Sequence, residues 1–581
     1  MGDNPSDACS HQDAPTGGVA ASPEGHGKSV IPDGGVRRSR LNKVVNIWDF
    51  FDVYDYDWSW WDEGAETPRA PRAQYEGSVA PAPSTAIDVH ALQRDYPHLV
   101  EHFQWLNGSF LRTMLGSQAP GGGKKPPLNQ KLLPLVEQIV AGHIAEGSPR
   151  TSGQQAWCHA AFTVPKSKPG QLRFILACKE LNAALRSFQL PACILPRYAD
   201  IVRRVLQNKF FVELDLTAYF FQFPLDDEAK DLFSFRVGSK KYRMNRAAMG
   251  FRGTPQVGQA VACAIATEAV GHEAVESIVW LDNFIFAAED AEAVQLVEQR
   301  FLLLCKKYGV TVGDRSSICQ AGAFLGVDFD LLQKRWRMDP AWTARLSALQ
   351  HLNLNAAMPL RRWWRLFGML LWRTHVLQLP LHSVAPILRW MSTKCRGRTM
   401  REHFTAEFWD SEGPVPEEVR LLLAQGIADL LRNEWRVWKE LPSQHIKAFT
   451  DASLKQWCFI IYPNPITGLT PITQWGFFPP PLLHEDIFVK EAYALGRLIS
   501  FVSRYNHPVV IDAGVDNTGV IGAWNKGFTL NNHVLDILIT SYEQLRRCGA
   551  HVLTEYVKSL ENPADAYTRD LKKDHPFFVT N

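Results

Sequence analysis

Apolar residues along this chain change their spacing repeatedly, and each change predicts an element. Helical spacing runs from about Ile87 to Leu115, stops at the Gly-Gly-Gly-Lys-Lys-Pro-Pro break at 121–127, and resumes from Gln130 to Glu146. From Ala160 to Asp330 strand-like and helix-like stretches alternate, the pattern of an α+β or α/β domain. Within it, Phe210–Leu216 reads as a strand, and Phe233–Val237 with Lys241–Met244 as a hairpin about Gly238-Ser239. Thr254 as N-cap with Pro255 at the first helical position opens a helix reaching about Val270. Ile278–Ala288 reads as a second hairpin whose tight turn carries Leu281-Asp282-Asn283, displaying the Asp282 carboxylate rather than burying it. Residues 340–440 read as mainly helical, and 446–570 return to mixed α/β.

The N-terminal pattern is different. Residues 1–45 are rich in Gly, Ser, Pro, Asp and His and hold too few large apolar groups to offset the entropy of ordering, so disorder is expected. Ile47 to Gly64 alternates eight aromatics with six acids, which suits a docking segment or a short element packed on the body; a Pro/Ala-rich linker follows from Thr67 to Thr85. At 581 residues the chain exceeds one hydrophobic core, and about three or four units are expected.

Charge adds a second layer. The net charge is only +2, yet residues 341–401 contain ten Lys/Arg and no Asp/Glu. These basic residues are interleaved with Trp342, Trp363, Trp364, Trp372 and Trp390, so the stretch is either a surface facing a polyanion or a solvated helix face with its aromatics turned inward. Ten cysteines without a CxxC pair argue against zinc knuckles and a disulfide scaffold, and fit a reducing compartment. No apolar run of about 18 residues and no basic-then-apolar leader is seen, so neither a membrane span nor a secretion signal is expected, leaving cytoplasm or nucleus.

Asp215 and Asp282 each end an otherwise apolar run. Two carboxylates beside buried strands are costly unless a cation or a catalytic use compensates. Over roughly 130–440 the chain resembles the fingers, palm and thumb of reverse transcriptases, in five ordered motifs: Val164-Pro165-Lys166 through Arg173 to Lys179-Glu180-Leu181-Asn182; Leu214-Asp215-Leu216 with Phe220; Gly250-Phe251-Arg252-Gly253-Thr254-Pro255; Trp280-Leu281-Asp282-Asn283; and Phe324-Leu325-Gly326. The resemblance implies Asp215 and Asp282 as ligands of two Mg²⁺ ions, with Mn²⁺ as a substitute. It implies Lys166 and Arg173 as neutralisers of phosphate charge, Phe220 as the bulky residue that excludes a ribose 2′-hydroxyl, and the Gly250 segment as a close approach to template-primer and nascent pair. Phe324-Leu325-Gly326 would steady the primer end. One departure stands out: the family's Tyr-x-Asp-Asp is Trp280-Leu281-Asp282-Asn283, so one acid is an amide that offers only a carbonyl oxygen.

A second set of acids lies near the C-terminus. Asp451 and Asp516 each follow an apolar strand, Glu491 opens a helix with apolar face Ala492, Leu495 and Ile499, and Asp565 precedes the last turn. Motif order and separations of 40, 25 and 49 residues resemble ribonuclease H, which implies a four-carboxylate metal site cutting the RNA strand of an RNA–DNA hybrid.

Together these resemblances imply an α+β and α/β multidomain chain. Residues 1–85 would be a disordered region with the acidic aromatic segment, 86–127 a helical extension, 128–335 the reverse transcriptase fingers and palm, 336–440 a basic thumb and connection, and 441–581 an RNase H-like domain. Expected partners are an RNA template, a DNA primer, RNA–DNA hybrid and dNTPs, with an element-encoded recombinase or capsid protein on other chains. The wording around Asp215 and Asn562-Pro563-Ala564-Asp565 resembles the Ty3-like and tyrosine-recombinase branch, kinetoplastid elements included. A domesticated nucleic-acid-binding protein with an inactive palm, marked by Asn283, is the alternative.

Overall fold

The structure, a computed structural model, describes residues 76–79, 83, 85–116, 130–149, 157–166, 170–191, 194–344, 346–395, 406–462 and 470–569. The expected disorder of 1–45 and the acidic aromatic tract lie outside these residues. Part of the region to residue 85 is ordered, contrary to expectation. Ser78–Val79 pairs in parallel with Gln171–Ala177, Val79 is buried, and its N–H donates to Gln138 Oε1 at 2.9 Å. One apolar side chain and an open sheet edge suffice to dock two residues of a Pro-rich stretch.

The continuous helix expected from Ile87 to Leu115 is broken into Val89–Asp95, Val100–Phe103 and Gly108–Leu115, joined by 3-10 turns. Pro97 cannot donate to the turn before it, and Asn107 starts a new helix by accepting from Phe110 N–H. Likewise the helix expected to reach Glu146 ends at Ala141. Gly142 and the left-handed His143 turn the chain, and Ala145–Gly147 becomes a strand paired with Lys240–Met244.

Among the described residues the strands form four sheets. The first carries the antiparallel pair Cys158–Pro165 and Gln171–Ala177 beside the Ser234–Val237/Lys240–Met244 hairpin. The second has the order Val312–Arg315, Phe210–Leu216, Asn283–Ala288, Glu276–Trp280, all antiparallel. The helix Thr254–Val270 packs on this sheet. Gly253, not Thr254, is its N-cap residue; Thr254 turns inward and donates to Ala248 O at 3.1 Å.

A third sheet runs Ala321–Phe324, Val327–Asp330, Arg335–Met338 and Arg436–Val437. In the helical stretch beyond it, Leu360–Val376 buries Trp363 and Trp364 while Arg361 and Arg373 pair with Asp410 and Asp429 at 2.5 and 3.3 Å. Trp363 and Trp364 thus face inward, the second of the two readings of that stretch. No helix among the described residues is long and apolar enough to cross a membrane.

The fourth sheet has the order Ile472–Phe477, Gln456–Tyr462, His445–Ala452, Val510–Val515, His551–Tyr556. Its first three strands are antiparallel, and the last two run parallel to His445–Ala452. Helices Ile487–Ser503, Thr518–Lys526 and Asn532–Cys548 supply the crossovers. Its core, between Ala448 and Ala550, is separate from the larger core between Val79 and Val310.

Candidate active sites

The second sheet brings Asp215 and Asp282 to one end. Asp215 is the penultimate residue of Phe210–Leu216 and lies opposite Asn283 across the ladder, while Asp282 occupies the two-residue turn between Trp280 and Asn283. Leu216 N–H donates to Asp282 O at 2.9 Å, which ties the turn to the Asp215 strand. Asn283 Nδ2 donates to Asp282 Oδ1 at 3.1 Å. The other turn residue, Leu281, holds φ +54°, a left-handed conformation that costs an L-residue with a large side chain about 1–2 kcal/mol.

Asp282 is half-buried instead of displayed. Burial raises its pKa first and the Asp215 charge raises it further; its own backbone N–H, Arg173 and Lys166 act the other way. The two cations stand on the first sheet's hairpin, where Val164 pairs with Arg173 and Lys166 N–H donates to Gln171 O at 2.8 Å. The basic hairpin therefore projects its charge toward the acids.

Gly313, on the neighbouring edge strand, makes room for Asp215: a Cβ there would stand 2.3 Å from Asp215 Oδ1. Glu213 is a residue that sequence reasoning missed. Burial, then Asp215 and Asp339, push its pKa up to about 7. The signal was present in the two-residue period, since Glu213 and Asp215 share one face of the strand.

Phe220 sits half-buried in the 3-10 turn Tyr219–Gln222 with its ring against the helix at Gly258, where a Cβ would lie 3.1 Å away. At Gly250 the close approach is internal: φ is +107°, and a Cβ would meet Leu176 O at 2.2 Å. Asn182 Nδ2 locks that segment by donating to Gly250 O at 2.8 Å. Phe324 and Val327 flank a two-residue hairpin turn in which Leu325 and Gly326 both have positive φ. Tyr198 donates to Leu325 O at 3.2 Å and packs its ring on Trp280, linking this turn to the Asp282 hairpin.

The fourth sheet carries the other acids. Asp451 is the penultimate residue of His445–Ala452, and Asp516 directly follows the parallel partner Val510–Val515, so both lie at the C-terminal end of adjacent interior strands. Asp565 begins the short helix Asp565–Thr568, which Asn562 anchors by donating to Thr450 O at 2.9 Å. Carboxylate oxygens of Asp451, Asp516 and Asp565 lie within 4.8 Å of one another. Glu491 is beside this trio but outside it. It occupies the second turn of Ile487–Ser503, not the opening, because Asp486 caps the helix by accepting from Val489 N–H.

Glu491 and Asp451 are each 3% exposed. Glu491 Oε1 accepts from Ala452 N–H at 3.2 Å, while Oε2 is buried and finds no donor among the described residues. Desolvation, reinforced by Asp451 and Asp516, raises Glu491 to about 9. Asp451 is pushed up to about 6 by burial and its acidic neighbours, against a hydrogen bond donated by Thr568 Oγ1. Arg569 pairs with Asp565 at 2.7 Å. Buried, mutually repelling carboxylates with an orphaned oxygen fit a hard divalent cation with oxygen ligands.

Comparison with known proteins gives a partial match. Residues 164–329 match the family described as Reverse transcriptase (RNA-dependent DNA polymerase). The chain is 27% identical over 120 residues to the Retrovirus-related Pol polyprotein from transposon 412 of Drosophila melanogaster, covering 21% of this chain and 10% of that protein. It is 24% identical over 257 residues to the Pro-Pol polyprotein of Simian foamy virus type 1, covering 44% and 21%. The chain thus spans a small part of these relatives' length. Among solved structures it is similar to the foamy viral protease-reverse transcriptase in complex with RNA/DNA hybrid, at TM-score 0.43 and 15% identity, covering 80% of this chain and 58% of that one.

Proposed function

We propose, from the premise that residues 164–329 are a reverse transcriptase domain of the retroelement and retroviral Pol type, that this chain is an RNA-directed DNA polymerase with a ribonuclease H on the same polypeptide. What carries the reading is the coexistence of two acidic centres. Asp215 and Asp282 meet at one end of an antiparallel sheet, and Asp451, Asp516 and Asp565 converge within 4.8 Å at the strand ends of another.

In this reading residues 128–335 are fingers and palm, 336–440 thumb and connection, and 441–581 the RNase H-like unit. Asp215 and Asp282 hold Mg²⁺, or Mn²⁺, at the palm, and Asn283 adds an amide oxygen or steadies Asp282. Asp451, Glu491, Asp516 and Asp565 hold the cations of the nuclease. Bound divalent cations lower the pKa of a primer 3′-hydroxyl or an attacking water and offset charge developing on phosphate. Lys166 and Arg173 bind the phosphates of an incoming dNTP, and Phe220 selects against a 2′-hydroxyl. Thr568 holds the Asp451 carboxylate in one rotamer by its hydrogen bond. RNA template, DNA primer and their hybrid are the substrates, and the Asp215 and Asp565 motifs support a Ty3-like or tyrosine-recombinase origin.

The test separates the two centres. Asp282→Asn should end dNTP incorporation on a primed RNA template and leave hybrid cleavage; Asp451→Asn should do the reverse. Incorporation that survives Asp282→Asn rules out the palm assignment. No incorporation by the unmodified chain, with cleavage intact, supports a retired palm.

A further inference from the structure

Gln259 stands on the second turn of the helix Thr254–Val270, 3% exposed, where a long polar side chain is costly unless its hydrogen bonds are made. The two ends of its amide reach alternate peptides of one strand end. Oε1 accepts from Leu281 N–H at 2.7 Å and Nε2 donates to Val279 O at 3.1 Å. Nε2 also contacts Cys263 Sγ at 3.2 Å and Ile194 O at 3.5 Å.

Glu276–Trp280 is the edge strand of its sheet, and its last pair is Trp280 with Asn283. An edge strand leaves every second peptide unpaired on its outer side, and a neighbouring strand would supply one N–H and one C=O to it. The Gln259 amide offers this donor and acceptor pair. It does so at Leu281, the left-handed residue directly before Asp282.

We propose that Gln259 is a positioning residue of the palm: its amide acts as a one-peptide surrogate strand that fixes the left-handed Leu281 and so aims Asp282 toward Asp215. The catalytic consequence rests on the polymerase reading above, whereas the fixing of the turn is measurable without it.

Gln259→Met keeps the length and removes both hydrogen bonds; Gln259→Glu keeps an acceptor for Leu281 N–H. Amide exchange over residues 277–286, dNTP incorporation with Mg²⁺ and hybrid cleavage are measured on the full chain. In Gln259→Met the Leu281 amide should exchange about tenfold faster or more. Incorporation kcat should fall about 30-fold with KM for primed template unchanged, as expected for a misaimed group. Adding Leu281→Gly to Gln259→Met should recover part of that loss, because glycine adopts the left-handed turn unaided. Gln259→Glu should keep Leu281 protected. If Gln259→Met also loses hybrid cleavage, the fold is disturbed and the Glu variant decides: fast Leu281 exchange there overturns the proposal. Unchanged exchange in a folded Gln259→Met overturns it too, as does faster exchange with incorporation intact. A wild-type chain that never incorporates dNTP defeats the polymerase reading, and the exchange result alone then decides the surrogate strand.

Discussion

Replacing Glu491 by glutamine should stabilise the metal-free protein at alkaline pH while ending hybrid cleavage. Burial, with Asp451 and Asp516 adding to it, raises the Glu491 pKa from 4.5 to about 9. A carboxyl whose folded pKa lies above its unfolded value binds its proton more tightly in the folded state. Its stability contribution is therefore full below about 4.5 and is lost as pH rises toward 9. At pH 8 the loss is on the order of 5 kcal/mol, from about 3.5 pKa units at ~1.4 kcal/mol each, and at pH 5 it is below about 1 kcal/mol. Glutamine keeps the bond from Ala452 N–H through its own oxygen and carries no charge. The assay is amide exchange of the strand His445–Ala452 in EDTA at both pH values, which reports local opening of this sheet and not unfolding of the whole chain. The variant should open less often than wild type at pH 8 and about equally at pH 5. Millimolar Mg²⁺ should reverse the order at pH 8, because wild type gains binding energy that the variant lacks. A variant less protected than wild type in EDTA at pH 8 would refute the reasoning, as would one equally protected at both pH values.

Three further outcomes follow from the geometry. Gly313→Ala places a methyl group 2.3 Å from Asp215 Oδ1, so steady-state incorporation should fall about tenfold or more while hybrid cleavage stays. Thr568→Val removes a donor that lowers the Asp451 pKa; the acid limb of the cleavage pH profile should move to higher pH by about one unit. Asn283→Asp replaces the donor to Asp282 with a like charge, costing the metal-free palm about 1–2 kcal/mol in a denaturation series. Incorporation by that variant should change by less than about threefold if the palm is adapted to its amide; a gain of tenfold would mean that the palm had decayed.

Much of the local structure was legible because it depends on neighbours in sequence. The Asp282 hairpin follows from two apolar runs with a short polar turn between them, and the helix to Val270 ends where read. What the sequence could not carry is pairing between distant segments. The register that sets Asp215 opposite Asn283 is a tertiary fact, and so is the docking of Ser78–Val79 on a strand almost 100 residues away. Burial was equally hidden. Nothing in the sequence singles out Gln259, and its role is visible only in its 3% exposure and its bond to the Asp282 turn. Gly250 reads as room for a nucleic acid, yet the contact its φ permits is with Leu176. Glu491 was found with its apolar helix face, but four residues of helix precede it because the Asp486 cap outweighs the helix-neutral Ile487-Phe488-Val489.

The most direct measurement is a single reaction in which the full chain, a labelled DNA primer on a labelled RNA template, dNTPs and Mg²⁺ report extension and RNA cleavage together, beside Asp215→Asn. Primer extension with template cleavage in the unmodified chain, and cleavage alone in the variant, is the predicted result. Extension that persists in Asp215→Asn, or its absence from both proteins under Mg²⁺ and Mn²⁺ alike, would contradict a working palm.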